Sequence, residues 1–165
     1  MYKSLLSFYL ILICQHTLAK DIKIASLINR QTINCEMPNP MINLINDFHT
    51  QKESGVRVKK SNQSVQLGRN KYLGIQGYQH YKTKNVEQDD FAVNLNAFGS
   101  KVIKVALQGI QTRQSESSTY YLVFQGKPVD VTYHLRKVMG NDWNIENVLE
   151  ETPQGNSKLV YVYAG

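Results

Sequence analysis

The sequence is short of the features by which most enzymes can be read. It has no HExxH, CxxC or GxSxG motif and no glycine-rich phosphate cradle, which removes the usual zinc-hydrolase, dithiol, serine-hydrolase and nucleotide signatures. Cysteine is scarce. The chain has two, and Cys14 falls in a segment expected to be removed on export, which leaves Cys35 alone. No internal disulfide is then possible, and an odd cysteine in an oxidising compartment is buried, paired with another chain, or reactive. Ile33 and Met37 flank it at alternate positions, which suits a small buried side chain. Beyond the leader the histidines are His49, His80 and His134, with no short metal-ligand spacing between them, so each is read as a lone surface or boundary residue. The adjacent pairs Asp89-Asp90 and Glu150-Glu151, if on strands, point to opposite faces; they are expected at turns or solvated edges rather than as acid–base couples. No run of Lys and Arg reaches the density of a nucleic-acid arm.

Long apolar runs are also missing, with one exception at the start. Leu5 to Cys14 is a ten-residue uncharged stretch preceded by Lys3 and followed by Thr17-Leu18-Ala19. That order of positive end, apolar run and small residues is the pattern of a cleavable secretory signal. Ten residues are half of the roughly 20 a membrane-spanning helix needs, so residues 1–19 are expected to be cut off before Lys20. The rest is then a soluble chain of 146 residues, a single α+β domain by length, with a periplasmic or secreted address. Losing Lys3 leaves 18 basic against 13 acidic side chains, a net of +5. The charge is scattered, as ordinary solvated faces would have it, and it is compatible with an acidic partner protein, cell-wall polymers or at most peripheral contact with anionic lipid.

From Lys20 to Met37 the chain suits a first strand or an extended arm. Asn39-Pro40 reads as a helix start, and Met41, Leu44, Ile45 and Phe48 follow as one apolar stripe, with Gly55 as a stop. This is expected to be the one long helix. Residues 57–71 are polar and read as a loop or weak hairpin. Short strands are expected over Tyr72–Lys82, Phe91–Phe98, Val102–Ile110, Thr119–Gln125, Val129–Lys137, Trp143–Leu149 and Lys158–Tyr163, each rich in β-branched and aromatic residues. Phe91, Val93, Leu95 and Ala97 alternate with Ala92, Asn94 and Asn96, a strand with one wet face. Gly126-Lys127 suits a type II′ turn joining two strands, with Val129, Val131, Tyr133 and Leu135 facing one way. A helix competes over 129–139, because Val131, Leu135 and Val138 also fit a 3.6 period; the alternation favours the strand. The expected fold is one N-terminal helix on a curved antiparallel sheet, a cystatin-like roll.

The stretch GKPVDVTYHLRKVMGNDWNIENVLEE is similar to the C-terminal hairpin of periplasmic phospholipid carriers of the MlaC or toluene-tolerance type. The matching residues are Pro128, Val129, Val131, Tyr133, Leu135, Arg136 and Lys137, then Gly140, Trp143, Ile145 and Val148. More loosely, the pattern resembles many cystatin-like or nuclear-transport-factor-like cones. Two features depart from the carriers: one good helix precedes the sheet where they have several, and the chain ends in a further strand, LVYVYA. The resemblance implies an apolar cavity, lined here by Leu122, Phe124, Val131, Tyr133 and Leu135, into which acyl chains bury at roughly 0.8 kcal/mol per CH₂, with basic residues at its mouth. The same side chains equally suit a filled core. The function expected is a non-enzymatic exported binding protein without a cofactor, a carrier of a lipid or other apolar ligand. The alternative is an inhibitor or immunity factor that binds a protein in the same compartment, for which the many tyrosines are suited; an enzyme using Cys35 is a third.

Overall fold

The computed structural model describes residues 20–34, 36, 38–51, 56–111, 116–143 and 149–163. The expected leader, Cys35 and most of the Trp143–Leu149 segment lie outside them. The first strand, β1 (Lys20–Lys23), is followed by a 3-10 turn at Ile24–Leu27 and a single helical turn, α1 (Arg30–Ile33). Asn29 caps α1: its side-chain oxygen accepts from the Thr32 amide at 3.1 Å, and the Thr32 hydroxyl accepts from the Asn29 amide at 3.2 Å. This reciprocal arrangement satisfies two otherwise orphaned donors.

The helix expected after residue 39 is α2 (Asn39–Gln51). It opens on the Pro38 carbonyl, which accepts from Met41 and Ile42. Met41, Leu44 and Phe48 are buried and Ile45 half-buried, the stripe that their spacing predicts. The polar segment after α2 takes the hairpin alternative, as two short hairpins: β2 (Val58–Lys59), β3 (Ser64–Leu67) and β4 (Asn70–Leu73). With β1 they form a four-stranded sheet in the order β1-β4-β3-β2, in which β1 runs parallel to β4. The strand expected over Tyr72–Lys82 is broken by Gly74 at φ +93°, a backbone region that side chains resist. There the chain leaves the first sheet and enters the second.

That second sheet has six antiparallel strands: β5 (Ile75–Lys82), β6 (Val86–Ala97), β7 (Ser100–Gln111), β8 (Glu116–Phe124), β9 (Glu150–Glu151) and β10 (Ser157–Tyr163), ordered β5-β6-β7-β8-β10-β9. Phe91 and Val93 are buried while Ala92 and Asn94 are exposed, so β6 has the wet face that its alternation predicts. Register places Phe91, Val105, Leu122 and Leu159 in one row across the sheet. This row faces the core shared with α2, where the Phe48 ring meets Phe91 edge-on at 5.9 Å.

One segment departs from expectation. Residues 128–139 form a second long helix, α3 (Pro128–Met139), not a strand, and Gly126-Lys127 leads into it instead of turning a hairpin. The reason lies in its ends. Pro128 takes a first-turn position where its missing N–H costs nothing, Asp130 sits at the positive end, and Arg136 and Lys137 at the negative end. Gly140 stops the helix at φ +110°. Val131 and Leu135 are buried, whereas Val129 and Tyr133 are exposed. A strand would have put all four on one side, so the core has selected the 3.6-residue period. The fold is α+β as expected, but the single-helix expectation is corrected. Two contacts fix α3 over the end of the large sheet. His134 Nδ1 lies 3.3 Å from Ser100 Oγ beside the β6–β7 turn, and the Arg30 guanidinium donates to the Val138 carbonyl at 2.8 Å.

Candidate functional site

Among the described residues four large apolar side chains are well exposed: Tyr81 (48 %), Val129 (71 %), Tyr133 (58 %) and Val138 (39 %). Three belong to α3. Val129 and Tyr133, four positions apart, share the outward stripe with Thr132 and Arg136, while Val138 lies near the inner stripe at the helix end. Together with Pro128, Lys137 and Asn141, the outward residues border an open groove of about 540 Å³. The Lys137 ammonium stands 4.3 Å over the centre of the Tyr133 ring, a cation–π contact worth roughly 0.5–1 kcal/mol at an exposed site. Among the described residues no carboxylate lines the groove. The Nε of Arg136 is buried without a hydrogen-bond partner, an uncommon state for a charged donor.

Two polar clusters elsewhere engage the acid pair. Asp89 and Asp90 are both 4 % exposed on β6, which corrects the expected turn or solvated-edge role; their opposite orientation is as expected. Asp89 accepts from the Tyr78 hydroxyl at 2.7 Å and lies 2.6 Å from His80 Nδ1, whose Nε2 is 3.5 Å from Glu87. On the other face Asp90 accepts from Lys104 Nζ at 2.5 Å, Gln88 Nε2 at 2.8 Å and the Tyr121 hydroxyl at 3.3 Å. Burial, and then the neighbouring carboxylate, pushes the phenols of Tyr78 and Tyr121 above their ordinary range; burial and Asp47 do the same for Tyr72. A carboxylate–imidazole pair can relay a proton, but the cavity beside Asp89, bordered by Ile45 and Phe48, measures about 30 Å³, room for a water molecule and no substrate. These clusters satisfy buried charge. Among the described residues no three His, Cys, Asp or Glu side chains are grouped to hold a metal ion.

No family model, curated protein or solved structure matches this chain. The site is therefore read from its own chemistry. Of the five residues expected to line a cavity, Leu122, Phe124, Val131 and Leu135 come together and fill the core, each no more than 1 % exposed. Tyr133 does not join them, because helical geometry turns it to solvent. Cys35, Ile145 and Val148 fall outside the described residues. Sequence reasoning missed the pairing of Arg136 and Lys137 with Tyr133 on one groove. The helix punctuation from Pro128 to Gly140 carried the signal, because once 128–139 is a helix, residues 129, 132, 133 and 136 share a face.

Proposed function

We propose that the chain from Lys20 onward is an exported, non-enzymatic binding protein that engages a partner protein in its own compartment through the outer face of α3. One observation carries this reading: Val129 and Tyr133 stand exposed on a helix whose inner stripe is locked into the core, beside two cations and, among the described residues, no carboxylate. Aromatic and Arg side chains are the types enriched where proteins meet, and a rigid helix loses little freedom in presenting them. Its lopsided positive charge suits an acidic partner. The leader at residues 1–19 supplies the address. The finer architecture expected from the sequence, a cystatin-like roll, belongs to this reading too; the contact of α2 with the large sheet supports it, and α3 is an addition to it.

A carrier of a lipid or other apolar ligand is the second reading, in keeping with the resemblance to periplasmic phospholipid carriers. The groove volume favours it, since about 540 Å³ falls within the roughly 300–1,000 Å³ of small-molecule sites. Native mass spectrometry of protein recovered from its own compartment separates the two. A stoichiometric protein complex that is lost in Tyr133→Ser supports the first reading. A lipid-sized added mass, removed by solvent extraction, supports the second. A bare chain in wild type, or a complex indifferent to Tyr133→Ser, removes α3 as the working surface.

A further inference from the structure

We propose that the α3 groove is a carboxylate-recognition site, which takes an acidic protein segment by setting an Asp or Glu side chain against Arg136 and an apolar neighbour against Tyr133 and Val129. The proposal rests on the reading of α3 as the working surface and names the chemistry of its partner. Three observations converge. Among the described residues the charged groups on the groove are Arg136 and Lys137, both positive. Arg136 borders the groove and remains part-exposed there. The planar guanidinium matches a carboxylate by paired N–H···O bonds. Cations near a helix C-terminus also complement the helix dipole; that accounts for their sign, but not for the groove beside them. The Tyr133 ring, held under Lys137 at 4.3 Å, and Val129 form the adjoining apolar wall. A concave site with two cations suits a single side-chain carboxylate better than a membrane surface, for which a cluster of about four to eight basic residues is the usual device.

The test uses the chain from Lys20 onward, immobilised, with phage-displayed random dodecapeptides as the probe. Selected peptides are expected to carry Asp or Glu beside an aromatic or aliphatic residue. Changing that acid to its amide is expected to weaken binding by about tenfold or more, as is Arg136→Gln in the protein. Arg136→Lys should recover only part of the affinity, because it keeps charge without the fork. The acid-to-amide change is made on the peptide, so it decides the matter even if Arg136→Gln does not fold. Selected peptides without acidic enrichment, whose binding is still lost in Tyr133→Ser, overturn the carboxylate inference and leave α3 as the binding face. Peptides indifferent to both Tyr133→Ser and Arg136→Gln, or no selected peptides, overturn both. Binding to phosphatidylglycerol vesicles that Arg136→Gln abolishes, with no acidic peptide selected, assigns the groove to a lipid headgroup and likewise overturns the proposal.

Discussion

Alanine substitutions along Val129, Val131, Tyr133 and Leu135 should give a pattern that only a helix produces. Leu135 is fully buried and Val131 is 1 % exposed. Losing the Leu135 side chain beyond Cβ removes its transfer energy and leaves a cavity, about 3 kcal/mol within the 2–5 kcal/mol range for such changes. Val131→Ala removes two methyl groups at roughly 0.8 kcal/mol each, and a small cavity brings the cost to about 2 kcal/mol. Val129 and Tyr133 face water, so their replacement should stay within about 0.5 kcal/mol. Val129→Ala gains slightly from the better helix propensity of alanine, and Tyr133→Ala forfeits surface contacts with Lys137 and the His134 ring. The assay is urea unfolding of the chain from Lys20. With a slope of about 2 kcal/mol per molar, Leu135→Ala should lower the midpoint by about 1.5 M and Val131→Ala by about 1 M, with the other two near wild type. Comparable losses at all four positions would mean alternation on a strand and would refute α3.

Two further predictions concern buried polar groups on the two sheets. Lys104→Met leaves the Asp90 carboxylate with Gln88 and Tyr121 as its remaining donors. Because the Lys104 side chain is 36 % exposed, water takes up part of the loss, and a cost of about 1–2 kcal/mol is expected; adding Asp90→Asn should recover some of it, while strict additivity would show that the pair is not coupled. Tyr72, Tyr78 and Tyr121 have folded-state pKa values raised above the unfolded value of about 10. Their contribution to stability is complete below about pH 10 and falls as pH rises beyond it, since the unfolded chain then binds fewer protons than the folded one. Absorbance titration should show these three phenols ionising above the ordinary tyrosine range. Tyr72→Phe, Tyr78→Phe and Tyr121→Phe variants assign the steps, and uniform ionisation near pH 10 in the folded protein contradicts the burial described.

What the sequence made legible was the periodicity of isolated segments. The stripe of Met41, Leu44 and Phe48 has only a helical explanation, and the alternation from Phe91 to Ala97 only a strand-like one. At 128–139 both periods fit, because Val131 and Leu135 are separated by four, a multiple of two and close to 3.6. Weight on the β-branched residues then hid the decisive end signals, Pro128 with Asp130 at one end and Arg136, Lys137 and Gly140 at the other. The candidate site followed that choice, since Tyr133 shares a face with Leu135 on a strand and leaves it on a helix. Long-range pairing was out of reach for a different reason. Asp89 finds His80 and Tyr78 on β5, and Asp90 finds Lys104 on β7 and Tyr121 on β8; nothing local in an Asp-Asp pair announces such partners. Likewise the pairing of β1 with β4, Lys20 opposite Asn70, joins segments about which composition is silent.

The claim that the outer face of α3 is the working surface is tested most directly by photo-crosslinking in the native compartment. A benzophenone amino acid replaces Tyr133 in one protein and Asn94, exposed on the wet face of β6, in another. The account predicts one defined protein adduct from position 133, its yield cut by Arg136→Gln, and none from position 94. No adduct from position 133, or the same adducts from both positions, would contradict it.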